Sequence, residues 1–154
     1  MKTSAVYFAV LVTLILMGCA RKSPPADPVL AGLRAKMDAA ITQGDMNTIS
    51  YEIFQHLDTK LSALEDRIRE DLHNEEWENN FDKAASLWRE YREAHAAFAA
   101  NGYEGGSIRP LILNDTKSGL TEERIAGLID AVGPEILYWE DGKGGWSRKP
   151  PGRR

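Results

Sequence analysis

The sequence predicts a small all-α domain built on a long antiparallel helical hairpin, and two apolar stripes joined by a short connection predict it. Ile49, Ile53, Leu57, Leu61, Leu64, Ile68 and Leu72 recur in steps of four and three with charged residues between them, which puts them on one side of a helix. Trp77, Phe81, Ala84, Trp88, Tyr91, His95 and Phe98 repeat in the same way. Asn74 and the charged residues around it leave room only for a tight link, so the two helices are expected to run back on one another. The same steps also fit an intermolecular coiled coil, and both a monomer and a homodimer through the hairpin are compatible with them.

Ahead of the hairpin, Lys2 precedes an apolar run from Ala5 to Gly18 broken only by Thr13, the layout of a secretory signal over residues 1–18. The run is shorter than the roughly 20 residues that span a bilayer as a helix. Cys19, the only cysteine, closes Leu16-Met17-Gly18-Cys19, a tetrapeptide that resembles the lipobox of bacterial lipoproteins. The resemblance implies cleavage before Cys19, a diacylglyceryl group on its thiol and an acylated, for example palmitoylated, amino terminus. Each buried methylene of such chains contributes roughly 0.8 kcal/mol to membrane anchoring. The alternative is an ordinary signal peptide with a chance cysteine. Ala20 stands where an Asp would resemble an inner-membrane retention signal, so an outer-membrane anchor facing the periplasm is the expected location.

Pro24, Pro25 and Pro28 make residues 19–28 a lipid-anchored tether rather than a helix. Residues 29–141 are long enough for one small core. A short amphipathic helix carrying Leu30, Leu33, Met37 and Ile41 should open it, with Gly44 as its stop. Past the hairpin, Gly102, Gly105, Gly106 and Pro110 mark a loop that wraps the helices, pinned by Ile108, Leu111, Ile112 and Leu113. Thr121 then reads as an N-cap with Glu122 and Glu123 in the first turn, and Ile125, Leu128, Ile129 and Val132 form the buried face of a short C-terminal helix. Gly133 and Pro134 end it. Residues 142–154, with Gly142, Gly144, Gly145, Pro150, Pro151 and Gly152, read as a disordered basic tail. Its cations can touch anionic lipid or remain a passive solvated end.

All 23 acidic residues lie between Asp27 and Asp141, against 11 Lys and Arg in that span, a balance of −12. An acidic body argues against nucleic acid as a partner and favours a cationic one, while also keeping a helical protein soluble. The sequence carries no motif for a cofactor, phosphate-binding loop, nucleophile elbow or metal. His56, His73 and His95 fall in no metal-ligand spacing, and Glu75, Glu76 and Glu78 read as a solvated charge run rather than an acid pair. The chain is therefore read as a non-enzyme without cofactor or metal.

Met46-Asn47 opening a long helix, Trp88, Tyr91, Arg92, Glu93 and Ala94 in LWREYREA, Gly105-Gly106-Ser107 in YEGGSIRPLI, and Leu120-Thr121 with Arg124 together resemble the LprI-type lysozyme-inhibitor domain of bacterial envelope proteins, over about Gln43 to Ala131. Ile49, Ala96 and Thr116 stand where members of that family carry cysteines, so this is a cysteine-less variant. Such cross-links are worth roughly 2 to 4 kcal/mol, and here packing must hold the loop instead.

The resemblance implies a lipid-anchored periplasmic binding protein that inhibits lysozyme-type cell-wall hydrolases by blocking the cleft. The alternative is a non-inhibitory envelope interaction or scaffold module that holds another periplasmic protein. Animal-type lysozymes are cationic and cut with paired carboxyl groups in a long cleft, so an acidic protein is steered to them. The candidate target-binding loop is Tyr103, Glu104, Gly105, Gly106, Ser107 and Arg109, where Tyr103 could stack in a sugar subsite and Glu104 and Ser107 supply polar contacts. The alternative is that Gly105 and Gly106 let the backbone turn and Ser107 caps it. Trp88, Tyr91 and Arg92 form a structural motif, with Trp88 in the core and Arg92 pairing with a carboxylate on the neighbouring helix.

Overall fold

The computed structural model describes residues 27–132 in full and the backbone of 137–140 and 145–148. The signal segment, Cys19 and the tether up to residue 26 lie outside the described residues, as does most of the basic tail. Helices α1 (Pro28–Ala39), α2 (Gln43–Asp71), α3 (Glu75–Ala99) and α4 (Arg109–Val132) make an all-α domain, with a 3-10 turn at Asn101–Tyr103. Strands β1 (Leu137–Glu140) and β2 (Gly145–Arg148) follow as an antiparallel ribbon in which Leu137 faces Arg148 and Trp139 faces Trp146. The second strand falls where the composition predicts a disordered tail. Its signal is local: β-prone aromatic residues flank a glycine-rich link.

Three side chains start the first three helices. Asp27 accepts a hydrogen bond from the Leu30 N–H at 3.0 Å, Thr42 from Asp45 at 3.1 Å and Asn74 from Trp77 at 3.1 Å, each satisfying an amide the helix leaves unpaired. Glu75, Glu76 and Glu78 add favourable charge to the first turn of α3. Because Thr42 caps α2, Gly44 lies inside that helix instead of ending α1, which stops at Ala39. Ile41 falls in the link and is exposed, not on the buried face of α1.

The last helix is about twice as long as the sequence pattern predicts. It begins at Arg109, and Pro110 in its first turn needs no N–H donor there. Leu111, Ile112 and Leu113 are thus helical residues, and Thr121 is not a cap but a fully buried interior residue. Ser118, Thr121, Ile125 and Leu128 form a buried stripe that continues through Gly119, and its burial outweighs a glycine penalty of about 1 kcal/mol.

Leu57, Leu61 and Leu64 of α2 are at the centre of the core, joined by Leu30 of α1, Ile68, and Ile125 and Leu128 of α4, with Phe81 and Trp88 of α3 packed at the edge. Among helix pairs the most extensive backbone contact is between α2 and α4, followed by α3 with α4 and α1 with α2. Between α2 and α3 the links are ionic: Arg69 to Asp82 at 2.7 Å, Arg89 to Glu65 at 2.5 Å and Arg92 to Asp58 at 2.6 Å. As the α2 partner moves toward its N-terminus the α3 partner moves toward its C-terminus, so the pair is antiparallel.

The face that α3 buries is shifted from the predicted stripe. Ala85, Arg92 and Ala96 are buried and Phe81 and Trp88 half-buried, whereas Trp77, Ala84, Tyr91, His95 and Phe98 are exposed. Small side chains let helix axes approach, and the alanine edge is where α3 meets its neighbours.

Asp27 also ties α1 to α2. Its carboxylate lies 3.0 Å from His56 Nε2 and 2.9 Å from Lys60 Nζ. Burial opposes its ionisation, but the Leu30 amide, His56 and Lys60 hold its pKa down, at about 2. A carboxyl group with a lowered folded-state pKa contributes stability above its unfolded value near 3.8, and that contribution is lost as pH falls toward 2. Urea midpoints of the wild type should therefore fall between these pH values, and Asp27→Asn should be less stable at neutral pH with a flatter acid profile. Gly119 is exposed, with open space where a Cβ would project, so Gly119→Ala should raise unfolding stability by about 1 kcal/mol in the same titrations.

Candidate functional site: the loop at the α3–α4 corner

Between Ala99 and Arg109 the chain closes three successive tight turns. Tyr103 N–H donates to the Ala100 carbonyl at 3.1 Å, Gly106 N–H to Tyr103 at 3.0 Å and Arg109 N–H to Gly106 at 3.2 Å. In the middle turn Glu104 has φ −58° and ψ 132°, and Gly105 has φ +74°, the torsions of a type II turn. A side chain at Gly105 is strained by that backbone. At Gly106 a Cβ would lie 3.2 Å from the Tyr103 carbonyl oxygen, so a side chain there needs the turn to open by a few tenths of an ångström.

One residue of α2 clamps the loop. Asn47 Nδ2 donates to the Ser107 carbonyl at 2.9 Å, and its Oδ1 accepts from Gln43 Nε2 at 2.9 Å. The Asn47 carbonyl accepts from the Ser50 hydroxyl, which in turn accepts from Asn114 Nδ2 of α4 at 3.1 Å. This polar ladder does the fastening that the sequence pattern assigns to apolar residues, and Ile108 is exposed. Asn47 belongs to the Met-Asn pair of the resemblance, but no local signal in the sequence discloses its partner sixty residues on.

Tyr103, Glu104, Gly105, Gly106 and Ser107 are thus brought together, exposed, on one corner of the bundle. Arg109 is half-buried as the first residue of α4 and stands apart from that tip. Tyr51, one turn along α2 from Asn47, and Phe98, near the end of α3, are also exposed. Asp45 adds a second exposed carboxylate near the start of α2.

Of Trp88, Tyr91 and Arg92, the tryptophan and the arginine pack together and Tyr91 stands apart. Arg92 sits at the junction of three helices: Nη1 donates to Asp58 of α2 at 2.6 Å and to the Thr121 hydroxyl of α4 at 3.3 Å. Its guanidinium lies 4.9 Å from the Phe54 ring centroid and 5.1 Å from that of Trp88. The Thr121 hydroxyl donates onward to the Lys117 carbonyl at 2.7 Å. Tyr91 faces outward, 3.3 Å from His95 Nδ1 through its hydroxyl.

Among the described residues no group of three or more His, Cys, Asp or Glu is placed to hold a metal ion, and no helix is long and apolar enough to cross a membrane. A wide-open groove of about 530 Å³ lies at the α1–α2 link, lined by residues from Lys36 to Ile49. The family profile for lysozyme inhibitor LprI matches residues 34–128, from within α1 to near the end of α4, and the chain belongs to that family. Comparisons with curated proteins and with solved structures find no match.

Arg92→Ala should cost about 3 kcal/mol in urea unfolding, because it removes a buried charge-assisted bond and the stacking of two rings. Arg92→Lys should recover only part of that loss, since an ammonium cannot bridge Asp58 and Thr121 while lying flat on aromatic faces.

Proposed function

We propose that the protein is a lipid-anchored inhibitor of lysozyme-type cell-wall hydrolases that blocks the substrate cleft with the loop from Asn101 to Ile108. The observation that carries this reading is the loop's rigidity combined with its exposure: three closed turns and the Asn47 clamp fix the backbone before any target arrives. Ordering costs at binding are correspondingly small. Family membership supplies the target class. Tyr103 is the residue for stacking on a sugar-binding surface, and Glu104 offers a carboxylate to a cationic enzyme. The excess of acidic over basic residues in the body steers the approach and makes it salt-sensitive.

On this proposal the protein sits in the bacterial envelope, held through lipid on Cys19 and facing the periplasm from the outer membrane. No step of catalysis is assigned to it. The proline-rich stretch between Cys19 and Asp27 then gives the domain reach from the membrane.

A soluble form beginning at Ala20 should slow clearing of cell-wall suspensions by animal-type lysozymes in a dose-dependent way, less so as salt is raised. Tyr103→Ala and Glu104→Ala should each raise the half-inhibitory concentration about tenfold with unchanged helical content. A folded protein that inhibits none of a panel of lysozymes would overturn the proposal. Metabolic labelling with palmitate should mark the full-length protein and not Cys19→Ala.

A further inference from the structure

The exposed side of α3 carries an apolar seam that the fold leaves uncovered. Trp77 is 63% exposed, Leu87 54%, Tyr91 51% and Phe98 74%, and Ala84 and Ala94 between them are exposed as well. Trp77, Ala84, Tyr91 and Phe98 are spaced by sevens, and Leu87 and Ala94 each follow one of them by three. These are the a and d places of a heptad. The adjoining side of α3, with Phe81, Ala85, Trp88, Arg92 and Ala96, already supplies its contacts to the core. The seam runs about 31 Å at 1.5 Å per residue. Scattered exposed apolar residues are ordinary, but a continuous stripe with strict sevens is matched to another helix, because a straight helix drifts about 20° per heptad and supercoiling removes the drift.

We propose that a second copy of this chain occupies the seam, with the two α3 helices antiparallel. Side-chain size and charge both select that occupant and direction. In the register that sets Ala84 against Leu87 of the other copy, Trp77 meets Ala94, Tyr91 meets Asn80 and Phe98 lies over the α2–α3 link, so large residues face smaller ones along the seam. The same register brings Lys83 beside Glu90 of the other copy, once on each side of the two-fold axis. Both residues are exposed, and neither makes an ion pair among the described residues. A parallel pairing stacks Trp77 on Trp77 and Tyr91 on Tyr91 and leaves Lys83 facing an aromatic edge, without an opposite charge. An isologous contact of this kind closes after two copies and puts the two α3–α4 loops at opposite ends of the dimer. The seam does not depend on what the loop binds.

Sedimentation velocity of the form beginning at Ala20, over a concentration series into the high-micromolar range, tests this. The expected result is a reversible monomer–dimer equilibrium. Leu87→Glu should make the protein monomeric with an unchanged helical spectrum, since that side chain is more than half exposed in one copy. Lys83→Glu should weaken dimerisation about tenfold, and Lys83→Glu combined with Glu90→Lys should restore it. A protein that stays monomeric throughout, a dimer indifferent to Leu87→Glu, or a charge swap that fails to restore pairing overturns the proposal.

Discussion

The Arg92 guanidinium is the point on which the three long helices agree. It reaches Asp58 on α2 and Thr121 on α4 from a backbone on α3, and it lies between the rings of Phe54 and Trp88. A planar, permanently charged fork suits this place because it satisfies in-plane acceptors at its edges while its faces pack like an aromatic ring. Asp58 is only partly buried, so one end of the network remains solvated and the charge is not stranded. Without the arginine, α2 and α3 would retain the ion pairs of Arg69 and Arg89, and α3 would still reach α4 through Glu93 and Lys117, but Asp58, Thr121 and the two rings would lose their common partner.

That constraint explains the division of labour in the bundle. α4 fills the groove beside α2 with Ile125 and Leu128, while α3 reaches the α2 core at its edge with Phe81 and Trp88 and through the ion pairs of Arg69, Arg89 and Arg92. Fixing α4 fixes the corner that precedes it. Asn114 on α4 and Asn47 on α2 meet through Ser50, and Asn47 holds the Ser107 carbonyl, so the loop inherits the rigidity of the bundle. The loop is thus kept by hydrogen bonds at the base and turn closure at the tip.

Local chemistry is legible in the sequence where it is decided locally. The leucine stripe of α2 names the centre of the core, Asn74 names the link, and the double glycine names a turn whose type II torsions require Gly105. Where two local readings compete, tertiary contacts decide. Thr121 followed by two glutamates has the appearance of a helix start, yet the buried stripe reaching back to Ser118 makes it an interior residue whose hydroxyl bonds to Lys117 and Arg92. On α3 the apolar arc is wider than one helix face, and periodicity cannot tell which edge is covered. The alanines take the inside and the aromatic residues at seven-residue spacing are left outside. Asn47 and Ser107 are sixty residues apart, and no pattern in the chain announces that bond.

A preformed loop, held by α2 and the start of α4, is the surface proposed to meet a cell-wall hydrolase. Hydrogen exchange of the domain with and without a saturating animal-type lysozyme tests this most directly. Backbone amides from Phe98 to Arg109 and at the start of α2 should gain protection while those from Trp77 to Ala94 do not change. Protection confined to α3, or none anywhere in the presence of bound enzyme, would contradict it.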